Sequence, residues 1–213
     1  MPTANFNLVN DLSDVFRRGT LCTFLYFCNI ENLEKKVLDC GAGAKIPPLA
    51  LFHSFGYETH GIDIADYKIS MSKDFQEKHG IDLGIIEGDM RDLPYENDSF
   101  SFVYSYNTIF HMRKNDIQKS IEEMRRVLRP NGLMYLNLLS MDDDGYGKGK
   151  ELGPGEFYQT DRDHKVIHAY FNDNEGDIYF DDMKMLAKQK RVGDLNIKGK
   201  MMKYGFIDYI ARL

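Results

Sequence analysis

The 213-residue chain is 43% hydrophobic and 28% charged, the balance of one folded domain with a full core. A net charge of −6 argues against broad nucleic-acid affinity. No apolar run approaches the roughly 18 residues that span a bilayer, and the first residues do not read as a signal peptide.

Three cysteines (Cys22, Cys28, Cys40) lack zinc-type spacing and read as reduced thiols of a cytoplasmic protein. Along the chain, Leu8, Leu12, Val15 and Phe16 recur at helical spacing, and a second apolar block follows from Leu21 to Phe27. Arg17 and Arg18 sit at the break between them, read as a solvated helix end, with a contact to a carboxylate ligand as the alternative. Val37–Leu38 then begins a buried strand that ends at Asp39, followed by Gly41 and Gly43 and a helix opening near Pro47–Pro48. This strand, glycine turn and helix bring a polar ligand close to bare backbone.

Tyr57–Asp63 reads as a second strand. A helix follows, with Asp66 as its cap, Tyr67, Met71 and Phe75 four apart, and Gly80 as its stop. Leu83–Ile86 is a third strand running into Asp89, and Phe100–Ser105 a fourth. Asn115 and Gln118 read as a capping box for a helix whose apolar stripe is Ile117, Ile121, Met124 and Leu128. Pro130-Asn131-Gly132 turns the chain into a fifth strand, Leu133–Leu139. Regular β-α alternation calls for a parallel sheet with helices on both faces.

The pattern changes after Ser140. Residues 141–165 hold five glycines and many charges and read as a long loop or lid, with Asp142, Asp143 and Asp144 solvated and no metal expected. Apolar character returns at Val166–Phe171, and the stretches 184–193 and 201–212 read as the arms of a hairpin. Between Lys184 and Lys203 seven basic residues face one acid, the solvated face of an edge hairpin or a patch for an acidic partner.

Three strands therefore end in aspartates: Asp39, Asp63 and Asp89. In an open α/β sheet, ligands lie outside the carboxyl ends of the strands. Three acids there do not suit a pyrophosphate; they suit a ligand with amine and hydroxyl donors. A dinucleotide fingerprint needs a third glycine at the sixth position counted from Gly41, which is Ile46 here.

With these motifs in order, the sequence resembles a class I S-adenosylmethionine-dependent methyltransferase of the small, stand-alone, small-molecule type. VLDCGAGAK resembles the family's first motif, GIDI its second-strand acid, EGDMRDLPYENDSFSFVYS its third-strand motif, and RRVLRPNGLMYLN its helix-to-strand-five signature. Lys45 departs from the pattern where a third glycine is frequent, and Ser101 where strand four often begins with Asp.

The resemblance implies a Rossmann-like doubly wound α/β fold, a seven-stranded sheet that is mostly parallel with a C-terminal antiparallel hairpin. It implies one domain over 1–213: a helical leader (1–33), a cofactor core (34–140), a lid-like loop (141–171) and a terminal segment with the hairpin (172–213). The cofactor would be S-adenosyl-L-methionine and the product S-adenosyl-L-homocysteine. Asp39, Gly41 and Gly43 would line its methionine part, and Asp63 would hold the ribose hydroxyls. Ile64 would pack on the adenine, Asp89 would accept from its amino group, and the Met90 amide would face a ring nitrogen. Ser105 and Tyr106 would approach the methyl side. His111, just after strand four, is the candidate general base, with Tyr104, Tyr106, His164 and His168 behind it. The expected partner is a small-molecule methyl acceptor, with neither membrane nor nucleic acid. An RNA or protein methyltransferase and a non-catalytic cofactor-binding module are the competing readings.

Overall fold

A computed structural model describes residues 19–161, 164–197 and 199–213. The leader positions Leu8 to Arg18 lie outside them. Strand β1 (Lys36–Cys40) is buried because both its neighbours are strands: it pairs in parallel with β2 (Glu58–Asp63) and β4 (Phe100–Ser105). Beyond β2 lies β3 (Ile85–Glu87), and beyond β4 lies β5 (Leu128–Ser140), both parallel. The terminal hairpin, β9 (Lys184–Ile197) and β10 (Lys200–Arg212), joins through antiparallel pairing of β10 with β5. The spine β3-β2-β1-β4-β5-β10-β9 is the expected seven-stranded sheet, and the hairpin arms are longer than the sequence suggests.

Helices cover both faces. Helices α1 (Gly19–Ile30), α2 (Leu49–Ser54) and α3 (Asp66–His79) share a core with Val37, Tyr104 and Tyr135. Aromatic rings fill it: Phe52 stacks on Tyr104 at 5.1 Å, and Phe24 lies 5.5 Å from Tyr135. Helix α4 (Lys114–Val127) covers the other face, burying Ile117, Ile121 and Met124 against Leu38, Val103 and Leu136.

Four expectations about local structure need correcting. Residues 150–171 are not a loop: β6 (Lys150–Gly153), β7 (Glu156–Asp161) and β8 (His164–Phe171) form an antiparallel meander. It attaches to the sheet where Leu139 and Ser140 pair with Tyr170 and Phe171, which makes a ten-stranded sheet among the described residues. The capping box at Asn115 is absent because α4 already begins at Lys114. Its first turn is satisfied from outside: the Lys114 N–H donates to Glu156 Oε1 on β7 (2.6 Å), while Arg113 donates to Oε2 (3.0 Å). Asp66 is inside α3 rather than its cap, whereas Gly80 closes that helix in the left-handed conformation as expected, with φ 62°.

The aspartates after β5 are engaged as well as solvated: Asp142 and Asp144 are exposed, and all three have partners. Asp143 accepts N–H bonds from Gly145 and Gly205, Asp144 accepts one from Lys203, and Asp142 pairs with Lys190. They fasten the hairpin to the end of β5. Within the basic run, Lys188 pairs with Asp177, Lys190 also with Asp173, and Arg191 with Asp208. Lys198 lies outside the described residues.

Candidate active site

The crevice opens where the strand order reverses, between the carboxyl ends of β1 and β4. The glycine turn is zipped onto β2. Gly41 and Ala42 N–H groups both donate to Ile62 O, the Gly43 N–H to Asp63 Oδ2 (2.9 Å), and the Ala44 N–H to Ser72 Oγ on α3 (2.9 Å). Asp63, only 5% exposed, accepts a second bond on Oδ1 from Ala65 N–H (2.9 Å). Its carboxylate is thereby fixed in place while keeping lone pairs to offer a ligand.

A cavity of about 640 Å³ lies above these strand ends. Gly41, Asp63, Ile64, Asp89, Met90 and His111 all line it. Four other expected residues do not. Asp39 is buried at the end of β1, and Ser105 turns inward to donate to Cys40 O (2.7 Å). Tyr106 packs 6.3 Å from Tyr135, and Gly43 backs Asp63. Glycine is needed at both turn positions. A Cβ on Gly43 would come 2.7 Å from Asp63 Oδ2, and one on Gly41, at φ 112°, would come 2.5 Å from Thr108 Cβ. Lys45 is exposed and lines a separate shallow cleft with Met71, Asp74 and Lys78, so its side chain leaves the cavity clear.

Asp89 is engaged by Arg91. The Arg91 backbone N–H and Nε donate to Oδ1 (both 2.9 Å), and Nη2 donates to Oδ2 (2.5 Å). That partner holds the Asp89 carboxyl below the usual carboxylate range.

Residues 38–136 match the family described as "Methyltransferase domain". This stretch is similar to that family over somewhat less than half of the chain. Over 124 residues the chain is 26% identical to a glycine/sarcosine/dimethylglycine N-methyltransferase of Actinopolyspora halophila, covering 57% of this chain and 21% of that protein. Over 100 residues it is 30% identical to the sterol 24-C-methyltransferase ERG6B of Gibberella zeae, covering 46% and 26%. The chain thus spans about a fifth to a quarter of the length of these two curated relatives. Its fold is that of a SAM-dependent methyltransferase structure from Methanosarcina mazei, with TM-score 0.70, 20% identity and coverage of 88% and 96%.

The matched residues supply the floor of the cavity, and the meander beyond residue 136 supplies part of its wall through His164, Val166 and Ile167. At the mouth Ile64 is 65% exposed, and Tyr67 stacks on His164 at 6.1 Å. The sequence reading missed Thr108, Lys68, Arg91 and the meander residues Val166 and Ile167 as wall. Only Arg91 carried a local signal, since an aspartate two residues before it makes a turn that bonds its N–H.

The His111 side chain is packed between Phe110 and His168, each ring 4.7 Å away. Burial first, then the nearby His168 and Lys68, depress its pKa to about 3. The imidazole is therefore neutral at pH 7. His168 lies behind it, with Nδ1 2.6 Å from Gln159 Oε1. Gln159 Nε2 donates to the carbonyls of Gly145 and Lys148, so its Oε1 accepts and His168 Nδ1 carries the proton. Tyr104 is buried against Phe52, away from the cavity.

The His111 shift has a sign that can be tested. The unfolded chain takes up this proton near pH 6.5 and the folded chain only near 3, so stability falls as pH drops through that window. Going from pH 6.5 to 5 is expected to cost about 2 kcal/mol through this group. Urea unfolding at the two pH values measures it, and His111→Gln should flatten the slope. An equal slope in both proteins would refute the assignment. The lowered carboxyls of Glu58, Asp89, Glu123 and Asp142 contribute in the same direction, at lower pH.

Proposed function

We propose that the chain transfers a methyl group from S-adenosylmethionine to a small-molecule acceptor. One observation carries this reading: two carboxylates at the ends of adjacent strands, Asp63 and Asp89, line one cavity whose floor is bare backbone at Gly41. The donor set fits the cofactor. Asp63 has lone pairs for two ribose hydroxyls, and Ile64, exposed beside it, offers an apolar face to the adenine. Asp89 would accept from the adenine amino group with the lone pair that Arg91 leaves, and the Met90 amide would be at hand for a ring nitrogen. Gly41 lets the methionine part approach the chain, with Asp39 and Gly43 holding the turn from behind, and Ser105 and Tyr106 doing the same at the end of β4.

Bound there, the cofactor would supply a methyl already activated by a sulfonium. The protein's part is alignment and exclusion of water, in which proximity contributes most. His111, neutral and buried at the wall, acts by accepting a hydrogen bond that orients the acceptor; with a pKa of about 3 it is a weak base.

A small-molecule acceptor fits the enclosed wall built by β8 and the glycine, sarcosine and sterol acceptors named for the curated relatives. The basic hairpin gives little support to an RNA acceptor, because Lys188, Lys190 and Arg191 are neutralised by acids of this chain. Among the described residues no helix is long and apolar enough to cross a membrane. Calorimetry is expected to show binding of S-adenosylmethionine and S-adenosylhomocysteine and none of NAD; NAD binding without response to the other two would overturn the reading. Product-release assays over pooled metabolites and total RNA then separate the acceptor classes. Methylation of RNA alone would remove the small-molecule preference, and binding without any turnover would leave a cofactor-binding module.

A further inference from the structure

The loop after β4 that carries Thr108 and His111 to the cavity is not shaped by its own sequence alone. Asn107 sits at φ 53°, a left-handed conformation that L residues other than Asn, Asp and Gly seldom adopt. What holds it there is Asn137, a wholly buried amide in the otherwise apolar run of β5. The two residues bond reciprocally. Asn107 backbone N–H donates to Asn137 Oδ1 (2.8 Å), and Asn137 Nδ2 donates to Asn107 Oδ1 (2.6 Å). A buried amide is costly unless it is bonded, so this pair also explains why a polar residue is tolerated at that place in β5.

The consequence is carried to the cavity by the next residue. Thr108 is laid over Gly41, its hydroxyl between the carbonyls of Tyr106 (3.2 Å) and Gly41 (3.5 Å). The Thr108 carbonyl then accepts from His111 N–H (2.9 Å), starting the short turn that places His111 at the wall. Gly41, Thr108 and His111 all line the cavity; Asn107 and Asn137 do not.

We propose that Asn137 is a positioning residue for the cofactor cavity, acting through the left-handed Asn107 to set Thr108 against the glycine turn. The inference rests on the methyltransferase reading of that cavity. Strained backbone held by its surroundings at a ligand site is a known use of such conformations. Here the restraint comes from a neighbouring strand rather than from the ligand.

The test is calorimetric titration with S-adenosylhomocysteine, alongside thermal unfolding without ligand. Asn137→Ala is expected to weaken binding at least about tenfold, from loss of both bonds and of the loop geometry. Adding Asn107→Gly, which reaches positive φ without a partner, should bring the affinity back to within about threefold of wild type. The thermal midpoint should stay lowered, because the buried bonds are still missing. Affinity and midpoint falling and recovering together would reduce Asn137 to general stability and overturn the role. If Asn137→Ala does not fold, Asn107→Ala keeps the backbone N–H bond to Asn137 Oδ1, loses only the bond from Asn137 Nδ2, and should weaken binding similarly; unchanged affinity there overturns the proposal. Wild-type protein that binds no S-adenosylhomocysteine removes the cavity reading itself. Wild-type binding matched by Asn137→Ala removes the positioning role alone.

Discussion

Asp63→Ala is expected to remove cofactor binding and to loosen the glycine turn at once. In the folded chain this carboxylate accepts from Gly43 and Ala65 N–H groups, both at 2.9 Å, from a nearly buried position. Truncation leaves two backbone donors without acceptors, a loss of about 2–4 kcal/mol of stability. Affinity for S-adenosylhomocysteine should fall further, by about a hundredfold or more, since the two hydroxyl bonds proposed for this carboxylate would be lost from a turn that has itself loosened. Asp63→Asn should do little better on stability, because its amide nitrogen faces one of the two N–H donors. Urea unfolding and calorimetric titration measure the two effects. Affinity within twofold of wild type would show that the second-strand acid does not hold the ligand.

The second large effect is expected outside the cavity lining, where the hairpin meets the sheet. Asp208 on β10 is almost wholly buried and accepts from Tyr135 Oη (2.8 Å) and from Arg191 Nε (2.5 Å) and Nη2 (3.1 Å). Burial, then the charge of Asp208, pushes the Tyr135 hydroxyl well above its ordinary range, so it stays a donor. Arg191→Met leaves a buried carboxylate with one neutral partner, which for a fully buried pair costs about 3–5 kcal/mol. The Arg191 side chain is 26% exposed, so water offsets part of this and a loss of about 3 kcal/mol is expected. The double variant Arg191→Met/Asp208→Asn should recover much of that loss by removing the stranded charge. A double variant no more stable than the single one would mean the lost packing of Arg191 over Phe206, not the charge, dominates.

Much of the frame was legible because its signals are local. An apolar run ending in Asp marks a parallel strand in the middle of a sheet, and three such endings pointed to one crevice; β2 ends in its own, β1 runs one residue past Asp39 to Cys40, and β3 ends two residues before Asp89. Gly41 and Gly43 announced the close approach that the side-chain geometry explains. What stayed hidden depends on partners distant in the chain. Nothing near Lys114 says that its amide is capped by Glu156, and nothing near Asn107 says that Asn137 holds it. The three aspartates after β5 read as solvated because their acceptors' partners, Lys190, Lys203 and Gly205, arrive about fifty to sixty residues later. The meander was taken for a loop because the glycines before and within it (Gly145, Gly147, Gly149, Gly153 and Gly155) and its charges suit an edge sheet with one open face as well as they suit a loop.

Glu156 gives that meander a mechanical character. One carboxylate closes the first turn of α4 and grips Arg113, and the strand bearing it is bonded to β8, whose residues face the cavity. To swing β7 and β8 outward as a flap, the chain would have to fray the helix in the same movement and strand an amide. The cavity wall is thus a buttress rather than a door, while Ile64, Tyr67 and His164 stand exposed at its rim.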